Sequence, residues 1–280
     1  MIFIRQITYS NLVVSLSATA LTAATYVYKG QWNSAYLGLV FFATLFVYSY
    51  ARFFEGQSED FENSQITKWH KRNRGLVWGL MIVSVLASCV LAYFSLSPEQ
   101  WATGFILAAV SMAYPLGLKF KGMQTTIKPL RERPGLKLFA IAAVWTFVSV
   151  VFPAWEELEW TDAGLIFSRL FFILAITIPF DIRDYHEDAK EMWTLPRIWG
   201  RKKAWQLALA FGAISALCLI GYGVQEGISP QLIIGELVGH IYALVLVLRS
   251  PKQTEDMYFS FWLEISPIIL FSCLYLFSYI

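Results

Sequence analysis

The segment Asp181-Ile182-Arg183-Asp184-Tyr185-His186-Glu187-Asp188 carries three aspartates at spacings of three and four residues. On a helix turning about 100° per residue, positions i, i+3 and i+7 fall within an arc of roughly 60°, so the three carboxylates share one face. Arg183, His186 and Lys190 fall on the opposite arc, and Pro179 is expected to kink the chain just before the cluster. Three anionic groups on one face repel each other unless a cation sits among them. Oxygen-only ligands suit Mg²⁺, which commonly bridges carboxylates to substrate phosphates, so the chemistry this pattern points to is a diphosphate site. The spacing also allows a solvated helix end whose aspartates pair with neighbouring Arg and Lys.

The elements that must position this cluster are apolar. Over 280 residues the chain is 57% hydrophobic and only 15% charged, with a mean hydropathy of +0.52, which is outside the range of an ordinary soluble domain. A span needs roughly 20 apolar residues. Such runs lie at Ser10 to Tyr28, Ser34 to Phe54, Gly75 to Phe94, Trp101 to Phe120, Leu136 to Trp155, Ala163 to Phe180, Ala204 to Gly223, Leu232 to Leu248 and Met257 to Tyr279. We therefore expect an all-α fold, a single membrane domain over residues 1–280 with about nine transmembrane helices. The acidic cluster then lies at the edge of the sixth. The first run, although preceded by Arg5, has the length of a span rather than of a secretory signal.

All of the 22 Lys and Arg except Lys29 and Arg169 fall at the amino terminus or in connections on one side of such a bundle. By the positive-inside rule that side is cytoplasmic, with the amino terminus inside and the carboxyl terminus outside, together with Glu156, Glu157, Glu159 and Asp162. The expected setting is an integral protein of the bacterial inner membrane. A net charge of +2 suggests no nucleic-acid partner. There is no G-x-x-x-x-G-K phosphate loop and no H-E-x-x-H zinc pattern. Cys89, Cys218 and Cys273 fall inside apolar runs without Cys-x-x-Cys spacing, as packing residues would.

Asp181 to Asp188, followed by Thr194-Leu195-Pro196 and Gly200-Arg201-Lys202, resembles the second aspartate-rich motif of the UbiA-type membrane prenyltransferases. Ala113-Tyr114-Pro115-Leu116-Gly117-Leu118-Lys119 is similar to that family's Tyr-Pro segment at the end of the fourth helix. The resemblance implies nine transmembrane helices, with Mg²⁺ as cofactor. The implied activity is prenyl transfer from a prenyl diphosphate to a hydrophobic acceptor such as an aromatic quinone precursor. Carried onto this sequence, it makes Asp181, Asp184 and Asp188 the catalytic metal ligands. Tyr114, Lys119, Lys121, Arg131, Arg133, Lys137 and Arg52 become candidates for contact with the diphosphate. A positive-inside role accounts for many of these basic residues equally well.

One departure matters. The family's first motif, of the N-x-x-x-D-x-x-x-D kind, should close the second helix, yet residues 47 to 60 contain no Asn and no Asp before Asp60. Glu55, Glu59 and Glu62 would share one helical face and could replace the missing metal ligands if the helix continued, although Gly56 and Ser58 argue against continuation. A related chain that binds isoprenoid or lipid without turnover is therefore the alternative function. Arg169, Glu236, His240 and Glu264 fall inside spans, where ionisable groups are costly. Glu236 with His240, and Glu264 with Arg169, are the expected pairs. Phe171, Phe172 and Phe180 are candidates to line a prenyl cavity, and Trp32, Trp101, Trp155 and Trp160 to anchor the outer interface.

Overall fold

The computed structural model describes residues 2–55, 65–113, 118–119, 126–127, 136–186 and 194–280. Helix α1 (Ile2–Tyr9) meets α2 (Leu12–Lys29) at a bend of 67°. The bend is made at Asn11, whose φ of 64° is a left-handed conformation that Asn tolerates better than most residues. Its amide donates to Ser49 Oγ at 3.2 Å, fixing the corner against the next helix. There follow α3 (Ser34–Glu55), α4 (Gln65–Arg72), α5 (Arg74–Ser95) and α6 (Pro98–Ala113). A two-residue antiparallel pair, β1 (Leu118–Lys119) with β2 (Thr126–Ile127), is the one extended element among the described residues. Helix α7 (Leu136–Thr146) runs into a π-helical turn, Phe147–Val151.

Helix α8 (Ala163–Arg183) passes through Pro179 without interruption and ends in a 3₁₀ turn, Asp184–His186. The short α9 (Leu195–Trp199), then α10 (Arg201–Gln225) and α11 (Pro230–Arg249), lead to a second π-helical turn at Tyr258–Leu263 and to α12 (Ser266–Phe277). Among the described residues six helices are long and apolar enough to cross a membrane, or seven if α1 and α2 form one bent span. The chain is an integral membrane protein. The expected count of nine is not reached among these residues: α6 has 16 residues up to Ala113, and Lys137–Val151 is likewise shorter than a full span.

Helix α8 is the central post of the bundle. Over half of its most apolar window is buried inside the protein, against 22 to 39% for the other five unbroken spans. It packs along α10 and against α7 and α11, and its buried residues Leu165, Phe172, Ile173, Leu174 and Ile178 form much of the core. Helices α11 and α12 meet through Gly235 and Gly239, which lie one turn apart on one face of α11. A Cβ at Gly239 would collide with the backbone of Leu270. Where lipid offers no hydrophobic gain for helix association, such small residues let backbones approach closely enough to pack.

Buried polar groups tie the same helices together. Arg169, 1% exposed, donates from Nη1 to Glu236 Oε1 at 3.1 Å, so its partner is Glu236 and not the expected Glu264. His240 meets the backbone carbonyl of Glu236 at 3.0 Å through Nδ1, rather than its carboxylate, and meets Ser215 Oγ at 2.9 Å through Nε2. Ser215 in turn donates to the Ser168 carbonyl at 2.7 Å, closing a link across α8, α10 and α11. At the far end of α8, Lys29 holds the fully buried Asp162 at 2.7 Å.

Because the obstacle at Gly239 is backbone and not a flexible side chain, Gly239→Val must push α11 and α12 apart. We expect it to cost about 1–3 kcal/mol and to lower the melting midpoint in detergent. Gly221→Val, at a position with open space around it, should lower it far less.

Candidate functional site

The site is built at the end of α8. Asp181, on the last turn, is 3% exposed and accepts from Lys137 Nζ at 2.9 Å. Lys137 comes from the first turn of α7, so this ion pair joins the start of one helix to the end of another. Asp184 opens the 3₁₀ turn, one helical turn further on. The Arg183 guanidinium grips it side-on, from Nε to Oδ1 at 2.6 Å and from Nη2 to Oδ2 at 3.2 Å. Arg183, expected on the arc opposite the aspartates, is thus paired with Asp184, while Asp188, Lys190 and the His186 side chain lie outside the described residues.

Arg183 has a second carboxylate partner. Its Nη1 donates to Asp256 Oδ1 at 2.9 Å, and its Cζ lies 5.3 Å from the ring centroids of both Phe180 and Phe259. Asp256 also accepts from the Tyr9 hydroxyl at 3.2 Å and from Ser260 Oγ at 3.0 Å. Tyr9 reaches Gln65 Oε1 at 3.4 Å, and its carbonyl meets His70 Nε2 at 2.8 Å. A continuous polar chain thus links α1, α4, the end of α8 and the approach to α12.

Two further groups complete the described part of the site. Arg52 occupies the last turn of α3, and Glu264 follows the second π-helical turn. Arg52 and Arg183 both bear electrostatically on Glu264. Its backbone carbonyl accepts from Ser17 Oγ at 2.5 Å, which fixes this stretch to α2. Thr194 and Leu195 are buried where α9 begins, and Arg197 Nη2 donates to the Tyr185 carbonyl at 3.2 Å. The Thr-Leu-Pro part of the motif thereby returns the chain to the site. Gly200, with φ of 85°, makes the sharp junction to α10 that a side chain would disfavour.

Asp188, Tyr114, Lys121, Arg131, Arg133, Glu59 and Glu62 lie outside the described residues, as do the side chains of Lys119 and Glu55. Of the sequence candidates, Asp181, Asp184, Lys137 and Arg52 are brought to this end of the bundle. Asp256 and Tyr9 were not foreseen. Asp256 lies 73 residues from Arg183 in an unremarkable acidic pair with Glu255, and no spacing rule connects them.

A cavity of about 430 Å³ lies between α2, α3, α5, α6 and α7, within the size range of small-molecule sites. None of its lining residues is charged. Tyr48 and Trp145, whose rings are 6.4 Å apart in edge contact, line the cavity. Tyr48 is one turn from Arg52, and Trp145 stands about 12 Å from Lys137 along α7. The π-helical turn of α7 contributes Val148 and Ser149 to its wall, and Cys89 lines it from α5. Phe171, Phe172 and Phe180 do not line it: Phe172 packs on His240, Phe171 on Phe211, and Phe180 on Phe259.

Asp181 and Asp184 suit a hard cation. They offer only oxygen donors, one turn apart, at a helix carboxyl end whose unpaired carbonyls add negative potential. Among the described residues no three Asp, Glu, His or Cys side chains converge as ligands. A cation here would take its remaining ligands from water and substrate oxygens, as Mg²⁺ usually does.

Among solved structures the chain is similar to the apo form of a UbiA homologue from Aeropyrum pernix K1, with a TM-score of 0.66 and 12% identity over 98% of each chain. It is also similar to a UbiA homologue from Archaeoglobus fulgidus bound to GPP and Mg²⁺, with a TM-score of 0.64 and 12% identity over 99% of this chain and 98% of that one. The chain has the UbiA fold. A digeranylgeranylglyceryl phosphate synthase shares this fold with a TM-score of 0.58 and 16% identity over 96% of each chain. No family model and no curated protein matches the sequence. At such identities the likeness is one of fold, and it agrees with the fold implied by the aspartate motif.

The Lys137–Asp181 pair carries its own test. Lys137→Met strands a nearly buried carboxylate, so we expect a loss of about 3–5 kcal/mol of stability. Adding Asp181→Asn should recover most of it, as a double-mutant cycle of thermal midpoints in detergent would report.

Proposed function

We propose that the chain is a membrane prenyltransferase, moving a prenyl group from a Mg²⁺-bound prenyl diphosphate to a hydrophobic acceptor such as an aromatic quinone precursor. The observation that carries this reading is the pairing of Asp181 with Lys137 and of Asp184 with Arg183, together with a cavity free of charged lining whose Tyr48 and Trp145 lie on the helices that carry Arg52 and Lys137. Carboxylates alone would attract a cation. Carboxylates interleaved with Lys and Arg can take a cation and an anion together, and a metal diphosphate is both.

In this reading Asp181 and Asp184, with Asp188, would hold Mg²⁺, and the bound ion would supply positive charge against the diphosphate oxygens. Lys137 and Arg183 turn N–H donors toward the phosphate oxygens, and charge-assisted bonds of this kind are the strong ones. Arg52 reaches the same region from α3, and the basic residues between α6 and α7, Lys119, Lys121, Arg131 and Arg133, supply further donors beside Tyr114. The prenyl chain runs past Tyr48 and Trp145 into the apolar cavity. Dry walls keep water from capturing the allylic cation, and aromatic ring faces attract it until the acceptor does. Likeness in fold to the homologue bound to GPP and Mg²⁺, and to the digeranylgeranylglyceryl phosphate synthase, supports a prenyl diphosphate as donor. Residues 1–280 form one domain in this account, with the Asp181 end in the cytoplasm of a bacterial cell, the amino terminus inside and the carboxyl terminus outside.

The missing aspartates at the end of α3 favour a second reading, in which the chain binds prenyl diphosphate but does not turn it over. Membranes containing the chain, supplied with radiolabelled prenyl diphosphate, Mg²⁺ and a panel of aromatic acceptors, separate the two. We expect label in a lipid product, with Asp184→Ala lowering transfer at least 100-fold at unchanged protein level. Mg²⁺-dependent binding without product would favour the second reading, and absence of both binding and product would contradict both.

A further inference from the structure

Arg183 is shared between two carboxylates, and only one of them belongs to the aspartate motif. We infer that Asp256 is a positioning residue for the metal site: by neutralising Arg183 from behind, it leaves Asp184 with a net negative charge for a cation. This inference rests on the proposed Mg²⁺–diphosphate function.

The argument is one of local charge. Lys137 and Asp181, 2.9 Å apart, cancel each other. With Asp184 as its one carboxylate partner, Arg183 would cancel that carboxylate's charge. Asp256 adds a second carboxylate, so the Asp184–Arg183–Asp256 trio carries one net negative charge.

The geometry keeps Arg183 committed to that arrangement. Nη1 goes to Asp256, while Nε and Nη2 go to Asp184, so the two carboxylates occupy different edges of one planar guanidinium. The rings of Phe180 and Phe259 lie against it at 5.3 Å, and together these contacts fix its orientation. Asp256 is held in turn by Tyr9 and Ser260, so it is anchored independently of Arg183. Each Asp184 oxygen keeps lone pairs beyond those that Arg183 uses. A metal bound there would find its ligand already oriented by an outer partner, as is common around metal sites.

Metal binding without substrate reads this directly. Mn²⁺ serves as the probe, and free ion is followed by electron paramagnetic resonance in purified, detergent-solubilised protein. Asp256→Asn should weaken Mn²⁺ binding about tenfold, the scale expected for removing one nearby charge in a partly screened site. Asp256→Glu should restore it, and Ser260→Ala, which removes a hydrogen bond but no charge, should change it less than twofold. Arg183→Gln combined with Asp256→Asn returns the net charge to minus one and should bring the affinity back to within about threefold of the parent. A merely structural role for Asp256 would not produce that rescue.

If Asp256→Asn binds Mn²⁺ as the parent does, or if the double variant binds no better than Asp256→Asn alone, the inference is overturned while the proposed function stands. Should Asp256→Asn fail to fold, Arg183→Gln decides: it leaves both carboxylates unneutralised and should tighten Mn²⁺ binding, and unchanged or weaker binding overturns the inference. A parent chain that binds neither Mn²⁺ nor prenyl diphosphate overturns the proposed function and the inference with it.

Discussion

A carboxylate drawn partly or wholly out of water at the edge of a membrane bundle needs a positive charge close by, because its desolvation costs several kcal/mol. At the end of α8 that requirement is met twice. Lys137 meets it for Asp181, and Arg183 for Asp184. Each cation comes with its own consequence for the fold. Lys137 fixes the start of α7 against the end of α8, and Arg183 draws Asp256, Ser260 and Tyr9 into one polar chain that joins α1 and the approach to α12. The arrangement of helix ends around the site follows from satisfying these two carboxylates.

The remainder of the bundle makes that arrangement rigid. Helix α8 is the most buried of the six unbroken spans, and the link through Arg169, Glu236, His240, Ser215 and Ser168 ties it to α10 and α11. Lys29 with Asp162 holds its other end. A helix fastened at its start, middle and end presents its last turn in one position, which a site for a charged ligand requires. The less buried helices α3, α5 and α6, together with α2 and α7, enclose the apolar cavity, whose wall includes one of the two π-helical turns. Such turns commonly mark functional sites, because the extra residue re-aims the side chains that follow. The second π-helical turn comes just before Glu264.

Much of the fold was legible because its signal is local. Apolar runs and the one-sided distribution of Lys and Arg depend only on neighbours in sequence, and the boundaries of α2, α5, α8 and α10 follow them closely. The three-and-four spacing of Asp181, Asp184 and Asp188 was legible for the same reason, and the two members that are described do lie together. Pairing choices were not legible. Arg169 could have met Glu264 or Glu236, and the choice depends on which helix faces it across the interior. The pairing of Arg183 with Asp184 was hidden because helical periodicity fixes where a Cα points, while a long guanidinium folds back onto its neighbour's carboxylate. Asp256 was invisible for the plainest reason: its partner lies 73 residues away.

The account joins an acidic, cation-paired helix end to an apolar cavity, and Cys89 in the cavity wall reports on both. The most direct measurement is the rate at which a maleimide alkylates Cys89 in a chain whose Cys218 and Cys273 are replaced by Ser. We expect a prenyl diphosphate with Mg²⁺ to slow alkylation at least fivefold, and the protection to vanish without Mg²⁺ or with Asp184→Ala. Alkylation that is indifferent to the prenyl diphosphate, or protection that persists without both the metal and Asp184, would contradict it.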